Sequence, residues 1–361
     1  MEAIPAPPDP VDSPAPPPPS APAPGPGAGP VPLRRRVGWT AAAVVALLVG
    51  VLLSLAVGSR TIPPDRVLDA LLHGGDDTTA GVVRSLRLPR TLIGLMTGAA
   101  LAMAGVVMQG VTRNPIADPG ILGVSQGASL GVVLAIAAAG VHTLAGQVWF
   151  AFAGAAVASV AVYAIASRGR GGASPVKLAL AGAAINALLV SVISGVLTTR
   201  ASALEEFRLW QIGSLAGRDQ AIVGQMWPFL LVGTVLVVSV ARGLDALALG
   251  EDVARGLGRN VAAVRIAAGT GATVLTGVGV AAAGPIAFVG LAVPHIARAL
   301  VGGDHRRLLP MAALLGPVVL LLSDVVGRVI YADSEVPAGV MTALIGLPFL
   351  VGLARRRKVA A

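Results

Sequence analysis

Few residues in this chain have side chains that could carry out a reaction. The sequence contains no cysteine, which excludes disulfides, thiolate metal sites and cysteine nucleophiles. Its only lysines are Lys177 and Lys358, and neither follows a P-loop glycine, so the chain carries no ATP-hydrolysing motif. There is no His-Glu-x-x-His motif, and no Gly-x-Ser-x-Gly motif in a strand–turn–helix setting. We therefore predict that the chain is not an enzyme, with no catalytic residue, no metal site and no cofactor of its own.

The ionisable residues within apolar segments are rare, and each allows two interpretations. Asp324 and Arg328 are one helical turn apart near the end of an apolar segment. They either pair with each other near the surface or lie at the entrance of a transport pathway. His295 follows Pro294 in a stretch broken by glycine and proline, and it is either a structural hydrogen-bonding residue or a ligand or proton relay.

One polar segment has the pattern of a short surface helix. Residues 249–260 read Leu-Gly-Glu-Asp-Val-Ala-Arg-Gly-Leu-Gly-Arg-Asn, with acids first and glycines near the end, which suits the dipole and the C-terminus of a helix. If the chain is a transporter, its energy must come from elsewhere because it has no P-loop. We then predict that a separate ATPase binds this segment through a surface that presents Ala254 and Leu257. The alternative is a solvated connector.

The elements that must position these residues are predicted to be transmembrane helices. Of the 361 residues, 55% are hydrophobic and 12% are charged, whereas soluble domains are about one-quarter charged. The mean hydropathy is +0.80, and alanine, valine, leucine and glycine dominate, as in closely packed transmembrane helices. The net charge of +9 lies in short runs between apolar stretches, which excludes a nucleic-acid partner. The predicted fold is an all-α polytopic bundle.

Ten segments are long and apolar enough to cross a bilayer. They cover residues 38–58, 91–110, 120–140, 148–167, 177–198, 226–243, 262–283, 285–301, 308–326 and 336–353. The eighth is the weakest because Pro285 and Pro294 interrupt it, which predicts a broken or partly re-entrant helix. Of the first 32 residues, 14 are proline, so we predict a disordered cytoplasmic tail over 1–33 and a transmembrane domain over 34–361.

The distribution of positive charge predicts the orientation. With the N-terminus inside, the inner loops and ends hold 18 of the 27 Lys and Arg residues, and the outer loops hold the other 9. Cytoplasmic loops of membrane proteins carry such an excess. We therefore predict a multi-pass protein of the cell membrane with both termini in the cytoplasm.

Short blocks along residues 60–355 together carry a resemblance to a known family. They are Arg87-Leu88-Pro89-Arg90, Gly98-Ala99-Ala100-Leu101-Ala102 with Gln109, Arg113-Asn114-Pro115, Ala117-Asp118-Pro119, Leu122-Gly123-Val124-Ser125, Gly127-Ala128, Trp210-Gln211-Ile212-Gly213-Ser214-Leu215, Leu249-Gly250-Glu251-x-x-Ala254-x-x-Leu257-Gly258, Phe288-Val289-Gly290-Leu291-Ala292-Val293-Pro294-His295 with Arg298, Gly303-Asp304-His305-Arg306 and Gly346-Leu347-Pro348-Phe349. In this order they resemble the FecCD-type permeases of ATP-binding-cassette (ABC) importers for iron-siderophore complexes, haem and cobalamin. The proline-rich tail is not part of that pattern.

The resemblance implies a type II importer. Two ten-helix permeases, either identical or related chains, would surround a pathway, with an ATPase dimer on the cytoplasmic side and a substrate-binding protein outside. ATP would bind the ATPase dimer. The implied ATPase-coupling residues are Leu249, Gly250, Glu251, Ala254, Leu257 and Gly258. The implied docking residues for the binding protein, which are otherwise ordinary membrane-flank arginines, are Arg87, Arg90 and Arg328. Candidates for the translocation pathway are Gln109, Asn114, Pro115, Ser125 and His295.

The implied cargo is an iron-siderophore complex, with haem and cobalamin as alternatives. Two other classes of function remain open from the residues alone. An ion-coupled secondary carrier would show carboxylates at the midplane and an inverted repeat, and neither is clear in this sequence. A membrane scaffold or enzyme would leave the Glu251 segment without a purpose.

Overall fold

The computed structural model describes residues 32–58, 61–74, 78–168, 174–331 and 334–359, and within these ranges it contains helices and no strand. Of the predicted tail, residues 1–31 lie outside this description, so that assignment stays a prediction. The α-helices in chain order are α1 (Leu33–Ala56), α2 (Pro64–Leu72), α3 (Thr78–Gly81), α4 (Leu88–Thr112), α5 (Val124–Ala137), α6 (Leu144–Ala166), α7 (Pro175–Thr199), α8 (Ala201–Gln211), α9 (Gln220–Ser239), α10 (Ala241–Ala248), α11 (Glu251–Gly256), α12 (Val261–Ala283), α13 (Val289–Val301), α14 (His305–Val329) and α15 (Ala338–Val359).

Each of the ten predicted membrane segments corresponds to one helix, which confirms the all-α transmembrane bundle. Within the described ranges, seven helical stretches have the length and composition to cross a membrane: Leu33–Ala56, Thr78–Thr112, Leu144–Ala166, Val176–Thr199, Gln220–Ser239, Val261–Ala283 and His305–Val329. Three apolar stretches are shorter: Val124–Ala137, Val289–Val301 and Ala338–Pro348. The chain is therefore a multi-pass membrane protein.

The predicted spans 120–140 and 285–301 are longer than the helices that form there. Helices α5 and α13 have 14 and 13 residues, which is about 20 Å at a rise of about 1.5 Å per residue, less than the ~30 Å of a hydrocarbon core. A 3₁₀ turn at Pro119–Leu122 precedes α5, and residues 284–288 before α13 are not helical. Leu122 and Ile286 in these segments are buried, so protein rather than lipid covers the non-helical backbone.

Helix α4 lies at the centre of the bundle and touches its neighbours through glycines. A Cβ at Gly105 would overlap the carbonyl oxygen of Gly290 in α13. That carbonyl precedes Pro294 by four residues, and proline has no N–H to bind it, so it is free to lie against Gly105. A Cβ at Gly98 would lie 2.6 Å from the Cα and N atoms of Pro317 in α14. Small residues thus set how closely these helices approach.

The connections between the long helices alternate between two faces of the bundle. We call the side with α2, α8 and residues 334–337 the α8 face, and the side with α10 and α11 the α11 face. On the α8 face, His142 Nδ1 lies 2.9 Å from Glu206 Oε2 and links two connections. On the α11 face, Arg113 and Glu251 are 3.2 Å apart and link two others. The surface helices α2, α8 and α10 were not predicted from the sequence.

Replacing Gly105 by alanine tests the close contact of α4 with α13. We expect Gly105→Ala to lower the melting temperature of the solubilised full chain, because forcing extra volume into a packed interior typically costs about 1–3 kcal/mol. Gly224→Ala in α9 is the matched control, since a Cβ there meets no atom within 4 Å. Equal melting temperatures for the two variants would contradict the contact.

Candidate transport sites at the two ends of the bundle

The segment 249–260 forms the short helix that its pattern predicts. Gly250 has a φ of 115°, which favours glycine, and α11 begins at the next residue. Glu251 and Asp252 occupy its first turn and Arg255 its last, as the helix dipole favours. Gly258, with a φ of 72°, follows the C-terminus. The local sequence therefore determines both ends of α11.

Glu251 fixes α11 to the rest of the bundle. Its carboxylate accepts a hydrogen bond from Arg265 in α12 and pairs with Arg113 at 3.2 Å and with Arg255 at 3.4 Å. The hydrogen bond from Arg265, and then the positive charge of these arginines, hold the pKa of Glu251 below its usual range. The carboxylate is thus charged at neutral pH and joins α11 to α12 and to the turn after α4.

The exposed surface of α11 differs from the predicted one at Ala254. That side chain is fully buried against its own chain, so the expectation that Ala254 is presented to a partner is wrong. The helix is too close to α10 and α12 for the side chain at this position to reach solvent. The large apolar side chains that are exposed are Leu249, Val253 and Leu257, at 66%, 48% and 61%. They form an apolar patch, which we call the α11 patch.

The helix before α11 is bound to α14 by a contact that sequence analysis missed. Asp245 Oδ1 in α10 accepts from the backbone N–H of His305 at 2.9 Å and from its Nδ1 at 2.6 Å. Burial alone would raise the pKa of Asp245, but the hydrogen bonds from His305 bring it below its usual value. His305 is itself 5% exposed and lies against Gly110 of α4. The α10–α11 unit therefore contacts both α4 and α14.

At the α8 face, two predicted docking arginines bind the end of α1 instead of pointing outward. Arg87 donates to the carbonyl oxygens of Leu55 and Ala56, both at 2.7 Å. Arg328 donates to the carbonyl oxygen of Ser54 at 2.7 Å. The last carbonyls of a helix lack intrahelical partners, and cations stabilise them. Arg87 and Arg328 are 7% and 5% exposed, so they cap α1 from inside the protein.

The third predicted docking arginine and the Asp324–Arg328 pair belong to the same cluster. Arg90 donates to Asp324 at 2.8 and 3.0 Å and to Glu335 at 2.7 Å. Asp324 also binds Arg328, as the spacing predicts, but the pair is buried rather than near the surface, with Asp324 1% exposed. Asp324 thus compensates two guanidinium groups that burial would otherwise destabilise.

Arg87 and Arg328 are buried and the Arg90 side chain is 13% exposed, which argues against their display to a binding protein, and that role stays a prediction. Arg90 and Arg328 both bind Asp324, and Arg87 and Arg328 both bind the end of α1, although Arg328 is far from the other two in sequence. Exposed cations among the described residues of the α8 face include Arg66, Arg84, Arg200 and Arg208.

The five pathway candidates do not form one group. Gln109 Nε2 and His295 Nδ1 both donate to the carbonyl oxygen of Leu291, at 3.3 and 3.0 Å. The side-chain oxygen of Gln109 accepts from Arg298, so Gln109 and Arg298 connect α4 to α13. The bond of His295 to Leu291 lies within α13 and is a structural one. Asn114, which accepts from the N–H of Ile116, and Pro115 lie in a turn on the α11 face. Ser125 lies in the first turn of α5. Their role in a pathway stays a prediction.

The match to a family model decides between the classes of function. The model of the FecCD transport family covers residues 46–356 of the chain. The chain belongs to the FecCD transport family. It is a membrane permease, like its relatives in this family, and the resemblance seen in the sequence blocks is confirmed.

Curated FecCD relatives align over most of their length. The ferric enterobactin transport system permease protein FepD of Escherichia coli is 42% identical over 86% of this chain and 93% of its own. The iron(3+)-hydroxamate import system permease protein FhuB of Bacillus subtilis is 39% identical over 88% of this chain and 83% of its own. The cobalamin import system permease protein BtuC of Halobacterium salinarum is 39% identical over 81% of this chain and 78% of its own.

A solved structure shares the fold of this FecCD protein. A metal-chelate type ABC transporter in an inward-facing conformation has a chain that superposes with a TM-score of 0.75 and 29% sequence identity. The alignment covers 90% of this chain and 99% of that one. The ten-helix arrangement is therefore that of an ABC transporter.

Replacing Asp324 tests the buried cluster. We expect Asp324→Asn to lower both the melting temperature and the amount of protein in the membrane, because it leaves Arg90 and Arg328 without a buried counter-charge, a loss of about 3–5 kcal/mol. Asp69→Asn is the control, since Asp69 pairs with His73 at an exposed site worth less than about 1 kcal/mol. A stable Asp324→Asn protein would refute the capping role of this cluster.

Proposed function

We propose that this chain is the permease of an ABC importer that moves iron chelates, foremost iron-siderophore complexes, into the cytoplasm. The observation that carries the proposal is the family match over residues 46–356, together with relatives named for ferric enterobactin and iron-hydroxamate. A cobalamin importer is the second candidate, favoured by the similarity to the cobalamin permease. Haem is a third candidate cargo, which only the resemblance of the sequence blocks to FecCD-type permeases implies.

The proposed ATPase partner binds at the α11 face. Three features support this: the sequence has no P-loop, the α11 patch exposes apolar side chains beside charged ones, and Glu251 and Asp245 fix the α10–α11 unit to α12 and α14. ATP is bound and hydrolysed by the partner, and this chain holds neither nucleotide nor metal. A second permease copy completes the pathway.

The proposed orientation places the α11 face and both termini in the cytoplasm. The excess of positive residues in the connections of that face supports it. The opposite α8 face then receives the substrate-binding protein. The exposed cations Arg66, Arg200 and Arg208 are suited to acidic groups of such a partner, and their contribution would weaken with salt.

Uptake into proteoliposomes tests the proposal. Vesicles holding the permease, its ATPase and the cognate binding protein should take up a radioactive iron-siderophore complex only when ATP is present on the side of the α11 face. A proton or sodium gradient without ATP should drive none. Gradient-driven uptake without ATP would show a secondary carrier, and ATP-driven uptake of cobalamin but not of the iron complex would establish the second candidate.

A single charge in the α11 patch should separate coupling from folding. We expect Leu257→Asp to reach the membrane in normal amounts but to lose co-purification with the ATPase and ATP-driven uptake, because an unpaired charge in an interface core costs several kcal/mol. Leu209→Asp, at a residue 74% exposed in α8, is the matched control for ATPase binding and should retain co-purification with the ATPase. Ala254→Arg cannot serve as a test of ATPase binding, because Ala254 is buried and the substitution should destabilise the permease itself. Normal ATPase binding by Leu257→Asp would show that α11 is only a connector.

A further inference from the structure

A groove between α6 and α12 opens toward the space that lipid occupies around the bundle. It encloses about 520 Å³, which is within the size range of small-molecule sites. Its floor is formed by Met108 and Val111 of α4, and most of its lining is apolar. On its rims, Val160 and Ile266 are 69% and 49% exposed, so the groove is accessible from the side.

The length of the groove matches one leaflet. Along α12 it extends from Arg265 to Val274, which is about 14 Å at a rise of about 1.5 Å per residue. Half of a hydrocarbon core of ~30 Å is about 15 Å. Because Arg265 is one turn from the start of α12, the groove begins at the α11 face and ends near the middle of the bundle.

The end of the groove at the α11 face carries excess positive charge. Arg265, Arg113 and Arg255 share the carboxylate of Glu251. Arg255 also pairs with Asp252 at 3.2 Å, so two carboxylates face three arginines and one positive charge is left over. The buried Nε of Arg265 has no hydrogen-bond acceptor among the described residues. Across the groove, Ser167 and Leu178 line its wall, and the adjacent Arg168 and Lys177 add further positive charge.

We propose that this groove binds one acyl chain of an anionic phospholipid, with the phosphate against Arg265. The apolar walls would bury the chain, and a phosphate supplies the negative charge that the arginines at this end of the groove require. Because Arg265 also holds Glu251, the lipid would contact the side chain that fixes α11. The site is independent of the identity of the cargo.

Lipid retention by the full chain tests the site. The protein, purified in detergent, is incubated with mixed micelles of equal parts phosphatidylglycerol and phosphatidylcholine, and bound lipids are counted by native mass spectrometry. We expect a preference for phosphatidylglycerol of about fivefold, as about 1 kcal/mol per basic residue implies. Arg265→Gln should remove the preference. Gly269→Leu, which has open space for its side chain in the groove, should remove retention of both lipids.

The matched control is Gly224→Leu in α9, which also has open space and should retain lipid like the unmodified protein. A photoreactive phosphatidylglycerol, with its reactive group on the acyl chain, provides a second measurement that needs no variant. It should label α6 and α12 more strongly than α9. Equal labelling of α9, or lipid retention unchanged by Gly269→Leu, would overturn the proposal. So would a Gly269→Leu protein that loses dimers but keeps its lipid, because the groove would then belong to an interface between permease copies.

Discussion

The contact of α4 with α13 and α14 is the constraint on which the other elements depend. Gly105 meets the carbonyl of Gly290, and Gly98 meets Pro317, at distances that leave no room for a Cβ. Because lipid is as apolar as the helix surfaces, close packing and polar contacts rather than burial from water hold such helices together. Prolines normally weaken a helix. In α13 and α14 they instead allow the backbones of these helices to lie close to the backbone of α4.

Helix α14 is held at both ends by charged contacts to other elements. At the α11 face, Asp245 binds the first turn of α14 through His305. At the α8 face, Asp324 and Arg328 connect its last turns to α1 and α4. A displacement of the α10–α11 unit would therefore act directly on a helix that reaches the opposite face. Helix α14 thus connects the α10–α11 unit mechanically to the α8 face.

The sequence could predict those features whose causes are local. Apolar runs placed the ten transmembrane helices, and the order of acids and glycines in 249–260 placed α11. The role of Arg87 and Arg328 could not be read in this way, because they cap carbonyls of α1 that become neighbours only when the bundle is packed. The burial of Ala254 and the bond between Asp245 and His305 depend on tertiary packing in the same way. The shortness of α5 was missed because apolar turns have the same composition as apolar helices, whereas Pro285 and Pro294 already predicted that the segment of α13 is interrupted.

The central claim is that a partner which hydrolyses ATP acts on this FecCD permease through the α11 patch. Site-specific photocross-linking in intact cells measures this most directly, with the photoreactive residue at Leu257 and, in a second strain, at Leu209 on the α8 face. The account predicts a cross-link to an ATPase subunit from position 257 and none from position 209. An ATPase cross-link from position 209, or its absence from 257 in a strain that still imports its cargo, would contradict the account.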